Sequence, residues 1–88
     1  MKLRNKTIWI TGASSGIGEA LAREFAREGA RLVLSSRRSD ALEHVRATCL
    51  RPESHVVLPL DLTRSESFPA ATARALELCG HVDILVNN

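Results

Sequence analysis

Short apolar runs alternate with longer stretches of helical periodicity along the whole chain. Thr7-Ile8-Trp9-Ile10 is β-branched and aromatic and ends at Thr11-Gly12, which predicts a strand meeting a turn. From Ile17 onward the apolar positions Ile17, Ala20, Leu21 and Phe25 recur at helical spacing, with Glu19, Arg23, Glu24, Arg27 and Glu28 opposite them. Gly29 stands where a helix ends on a left-handed residue. Leu32-Val33-Leu34 predicts a second strand, and Ser39 is placed to cap a helix over Ala41, Leu42, Val45 and Cys49 that Pro52 ends. Val56-Val57-Leu58 predicts a third strand leading to Pro59-Leu60-Asp61. A third helix is expected from about Ser67 to Cys79, with Pro69 in its first turn and Gly80 at its end. Ile84-Leu85-Val86 predicts a fourth strand before Asn87-Asn88.

Apolar strands joined by helical crossovers imply a parallel α/β sheet, doubly wound, with right-handed connections. The usual winding orders the strands 3-2-1-4 and leaves strand 4 as an apolar edge. Residues 1–88 are therefore expected to be the N-terminal β-α-β-α-β-α-β part of one larger domain.

Composition narrows the partners. At 88 residues, 44% hydrophobic and 25% charged, the chain is ordinary globular material. Twelve basic against ten acidic residues leave a net charge of +2, too slight to imply nucleic acid or a membrane surface. Cys49 and Cys79 lack the paired spacing of a zinc site or disulfide framework and read as reduced core thiols. No metal site is expected. No leader-like apolar segment follows the charged N-terminus, so a cytoplasmic location is expected. His44, His55 and His81 share no spacing and are expected at surface or boundary positions.

The chemistry concentrates in Thr11-Gly12-Ala13-Ser14-Ser15-Gly16-Ile17-Gly18, between the first strand and helix. A helix N-terminus offers free N–H groups and the positive end of its dipole to a phosphate. Gly12 permits a sharp exit from the strand, Gly16 leaves room for a pyrophosphate, and Gly18 permits close helix packing. Ser14 and Ser15 add hydroxyl donors. Three residues rather than one separate the first two glycines, and no Gly-Lys-Ser/Thr follows, so neither the GxGxxG fingerprint nor a P-loop is matched.

The segment Thr11-Gly12-x-x-x-Gly16-Ile17-Gly18 resembles the cofactor motif of the short-chain dehydrogenase/reductase family. Asp61 after strand 3, and Asp83-Ile84-Leu85-Val86-Asn87-Asn88, resemble two further family segments at the expected places. The resemblance implies a Rossmann-type fold and hydride transfer between a nicotinamide and a carbonyl or alcohol substrate, in a homo-oligomeric full-length protein. It implies cofactor contacts from Gly12, Ser14, Ser15, Gly16, Ile17 and Gly18, from Asp61 and Leu62 at the adenine, and from Asn88 at the ribose. The family's catalytic Ser, Tyr and Lys have no counterpart here; there is no Tyr, and no Lys beyond Lys6. Ser36 stands where the family's NAD-selecting acid would be, and Arg37 follows with Arg38, which favours NADP over NAD. A nucleotide-binding sensor without catalysis is the alternative from another class, and an epimerase-like relative is a third.

Overall fold

The computed structural model describes residues 2–14 and 16–88. In chain order the elements are β1 (Thr7–Thr11), α1 (Gly16–Arg27), β2 (Arg31–Ser35), α2 (Ser39–Thr48), β3 (Val56–Val57), α3 (Phe68–Cys79) and β4 (Ile84–Asn87). Two 3-10 turns precede β3 and α3. All strand pairs are parallel, in the order β3-β2-β1-β4. That is the doubly wound order expected from the alternation of elements. The β3 ladder covers only Val56 and Val57. Its line is prolonged by Leu58 N–H to Leu34 O at 2.9 Å and Leu60 N–H to Ser36 O at 2.8 Å.

Strand alternation sorts the core into two layers. Ile8, Ile10, Leu32 and Leu34 pack on one face with Ala22, Ala26, Leu42 and Val45 from α1 and α2. Trp9 and Val33 pack on the other face with Leu60 and with Ala71 and Ala75 from α3. Every residue of β1 is buried, which makes it the spine of the sheet. On β4, Ile84 and Leu85 are 41% and 48% exposed.

The inner face of α1 differs from the one its apolar spacing suggests. Gly18, Ala22 and Ala26, at intervals of four, are buried, whereas Ile17 is 70% exposed and Ala20 is also exposed. Close approach of helix to sheet selects the smallest side chains for the contact, so bulk is pushed to the flanks, as with half-buried Leu21 and Phe25. The helix ends at Gly29 (φ 96°), with Gly29 N–H to Ala26 O at 3.0 Å and Ala30 N–H to Phe25 O at 3.1 Å, a Schellman termination.

Ser39 does not cap α2. Arg38 occupies the N-cap with extended backbone and no side-chain capping bond, and the Leu42 N–H already reaches Arg38 O at 3.0 Å. The Ser36 hydroxyl instead accepts the Arg38 N–H at 3.1 Å and turns the chain before the helix. His55 is buried rather than peripheral. Its Nδ1 accepts the Leu32 N–H at 3.1 Å while Nε2 lies 2.8 Å from Leu50 O, which fixes the neutral ring with its proton on Nε2. Burial accordingly lowers the His55 pKa. Cys49 is buried and Cys79 half-buried, both as free thiols, and burial raises both pKa values. Among the described residues, no helix is long and apolar enough to cross a membrane.

Candidate functional site

The carboxyl ends of β1, β2, β3 and β4 bring together the turn after β1, the Ser36–Arg38 turn, the Leu60–Thr63 segment and Asn88. Residues from distant parts of the sequence thus meet along one edge of the sheet, where open α/β folds hold their ligands.

The turn after β1 is built by close packing. Gly12 has φ 64°, and a Cβ there would meet Asn88 O at 3.0 Å. At Gly18 an added Cβ would overlap the carbonyl oxygen of Gly12 and approach Asn88 Nδ2 to 2.8 Å. Both positions therefore exclude side chains for internal reasons. Gly16 is different: its φ is 59°, yet a Cβ would meet nothing within 4 Å. Gly16 opens α1, so its surroundings combine a helix N-terminus with unfilled space. Ser14 is half-buried beside it and Ile17 faces outward. Ser15 lies outside the described residues.

Two strands anchor this turn. The Ala13 N–H donates to Ser35 O of β2 at 3.1 Å. From β4, Asn88 Nδ2 donates to Gly12 O at 3.1 Å, and the Asn88 N–H donates to the Thr11 hydroxyl at 3.2 Å. The same hydroxyl donates toward Asn87 Oδ1 at 3.0 Å. The Asn pair therefore ties the end of β4 to the start of the turn.

Asp61 follows β3 and forms a local turn. Its Oδ1 accepts the Thr63 N–H at 2.9 Å and the Thr63 hydroxyl at 2.6 Å. These two bonds hold the carboxyl below its ordinary range, with the Arg37 and Arg64 charges adding to the effect. Asp61 is thus ionised and fixed by its own turn, and Leu62 is 45% exposed next to it. Arg37 and Arg38 are both exposed after β2. Gly12, Ser36, Arg37 and Leu60 to Thr63 line one cleft of about 190 Å³. Arg38 and Asn88 are not among its lining residues.

Sequence reasoning missed the internal brace of the site. Trp9 Nε1–H donates to Ser35 Oγ at 2.8 Å, and Ser35 Oγ–H donates to Leu58 O at 2.6 Å. One buried hydroxyl thereby links β1, β2 and the extension of β3. Trp9 also stacks on Phe68, with ring centroids 5.3 Å apart. An indole N–H buried within an apolar strand was the available signal, since such a group needs a partner.

Comparison with known proteins agrees with this architecture. The family profile described as short chain dehydrogenase matches residues 6–88. Dehydrogenase/reductase SDR family member 7 of Mus musculus is 48% identical over 92 residues, covering 99% of this chain and 27% of that protein. A metagenomic short-chain oxidoreductase solved in complex with NADP superposes with TM-score 0.91 and 34% identity, over 100% of this chain and 40% of the other. A 3-ketoacyl-(acyl-carrier-protein) reductase from Brucella melitensis, complexed with NADH, gives TM-score 0.84 and 35% identity over 94% of this chain and 33% of the other. The chain spans about 27% of the length of the mouse relative.

Proposed function

The chain belongs to the short-chain dehydrogenase family, and from that premise we propose that it supplies the NADP(H)-binding part of an oxidoreductase acting on a carbonyl or alcohol substrate. The observation that carries the cofactor choice is the shared cleft in which Arg37 stands with Gly12 and Asp61.

Gly12, Ser14, Ser15, Gly16, Ile17 and Gly18 would hold the pyrophosphate. The open space at Gly16 fits a group that must approach the backbone without meeting a side chain, and the start of α1 favours its negative charge. Asp61 and the Leu62 N–H would receive the adenine, and Asn88 would face the adjoining ribose. Arg37, with Arg38 beside it, would bind the 2′-phosphate, because a guanidinium offers a planar fork of donors matched to phosphate oxygens. Ser36 in place of an acid removes the repulsion that would exclude that phosphate. A bound nicotinamide would give a hydride to a carbonyl carbon or take one from an alcohol carbon; this chain's residues would bind and orient the adenosine and pyrophosphate end.

The test is Arg37→Asp in the full chain, read by isothermal titration with NADPH and NADH separately. NADPH should weaken at least tenfold, about 1.4 kcal/mol, while NADH is unchanged or improved. Equal losses for the two cofactors would overturn the assignment.

A further inference from the structure

At the opposite end of the sheet, the amino ends of the strands border a second cleft of about 310 Å³. Arg31, Arg51 and His81 line it, and among the described residues no carboxylate side chain does. Among the described residues, the non-glycine residues at positive φ are Asn5 (70°) and Arg51 (56°), and both line this cleft. Asparagine adopts that backbone readily, but at Arg51 it persists only where its surroundings enforce it, and such residues gather at ligand sites.

The enforcing contacts are visible around residues 50–55. Ser54 donates its N–H and its hydroxyl to Arg51 O at 3.0 and 2.9 Å. Buried His55 holds Leu50 O, Arg46 donates to Pro52 O at 2.7 Å, and Arg31 donates from Nε to Ser54 O at 3.0 Å and from Nη2 to Leu78 O at 3.4 Å. Arg31 is thereby fixed in orientation while remaining exposed. Arg51 itself makes no side-chain hydrogen bond or ion pair among the described residues. Beside these charges Leu50 is 46% exposed, and Ala26 and Ala30 form the wall. His81 is paired through Nε2 with Asp83 Oδ2 at 3.0 Å, so it shapes the rim while the two arginines carry the charge.

We infer that this cleft binds an amphipathic organic anion, with a carboxylate or phosphate head on Arg51 and Arg31 and a short apolar body against Leu50. The Arg51 guanidinium can pair with an oxyanion through parallel hydrogen bonds, Arg31 adds its charge and its remaining Nη1 donors, and a loop already held in shape loses little freedom on binding.

The test is an NMR titration of the full chain with octanoate, octyl phosphate and inorganic phosphate, following backbone amides. At least one of the two octyl compounds should shift Arg31, Leu50, Arg51 and Ser54 saturably, roughly tenfold tighter than inorganic phosphate, and whichever does identifies the head group. Arg51→Asn removes the charge while suiting the left-handed backbone, and should weaken binding roughly tenfold; Arg51→Lys keeps the charge but loses the parallel pair, and should weaken it less than Arg51→Asn. NADPH should leave the titration unchanged. Shifts confined to residues 12–18, unaltered affinity in Arg51→Asn, competition by NADPH, or inorganic phosphate binding as tightly as the octyl compounds would each overturn the inference.

Discussion

Asn88 Nδ2 donates to the carbonyl of Gly12 at 3.1 Å, so the end of β4 holds the turn that follows β1 although 76 residues separate them in sequence. The same asparagine side chain stands 2.8 Å from where a Gly18 Cβ would be. Sheet, turn and helix therefore share one crowded point, and anything that shifts Asn88 shifts the start of α1.

Asn88→Ala should cost about 1 kcal/mol of stability, the scale of one intramolecular hydrogen bond. It should weaken dinucleotide binding by more than the stability loss alone accounts for, because the turn loses its anchor. Denaturant unfolding and titration calorimetry on the same variant measure the two effects.

Gly18→Ala and Gly16→Ala should separate packing from ligand approach. At Gly18 the new methyl overlaps backbone rather than a movable side-chain tip, and about 1–3 kcal/mol of destabilisation is expected. At Gly16 the methyl meets nothing, and the cost is the left-handed backbone alone, about 1–2 kcal/mol. Thermal unfolding should rank Gly18→Ala as the more damaging or equal, while cofactor titration of the folded fraction should show Gly16→Ala losing affinity. Unchanged affinity in Gly16→Ala would place the pyrophosphate elsewhere.

Ser35→Ala strands the buried Trp9 indole N–H and the half-buried Leu58 carbonyl. A loss of about 1–3 kcal/mol is expected. Trp9→Phe removes one of those groups, so the double variant should fall short of the sum of the singles in a double-mutant cycle. Strict additivity would show that the three groups do not act together.

His55 predicts a pH dependence of folding. Its folded-state pKa is lowered by burial, so the unfolded chain binds the extra proton first as pH falls. The contribution is complete above the ordinary histidine value of about 6.5 and is lost as pH drops through the lowered folded value. Asp61 and Asp83, also lowered, lose theirs only in the carboxylate range below about 4. Unfolding free energy should therefore begin to decline below about pH 6.5 and fall further in the carboxylate range, and His55→Asn should flatten the first decline.

The elements were legible because burial on both faces writes itself as apolar strands, and the crossovers as helical spacing. The sheet order followed from that alternation. Facing was harder: α1 turns Gly18, Ala22 and Ala26 inward and leaves Ile17 out, because closeness of approach outweighs hydrophobicity at that contact. The glycine turn and Asp61 could be located from sequence, whereas the roles of Ser35 and His55 could not. Each is a polar residue whose partner comes from another strand or from the chain entering it, and local pattern carries no record of such pairings. Ser39 illustrates the converse. A capping residue type was present, but Ser36 had already set the turn.

Trp9 is the single tryptophan, and the sequence has no tyrosine. Its indole is 2% exposed, stacked on Phe68 and hydrogen-bonded to Ser35. The chain therefore carries one intrinsic fluorophore, seated where three strands are laced together beneath the cleft. Its emission should lie to the blue while the lacing holds and move to the red as β3 peels from β2, without any label being introduced. Reduced nicotinamide absorbs where indole emits, so the same ring would also register an arriving cofactor by energy transfer.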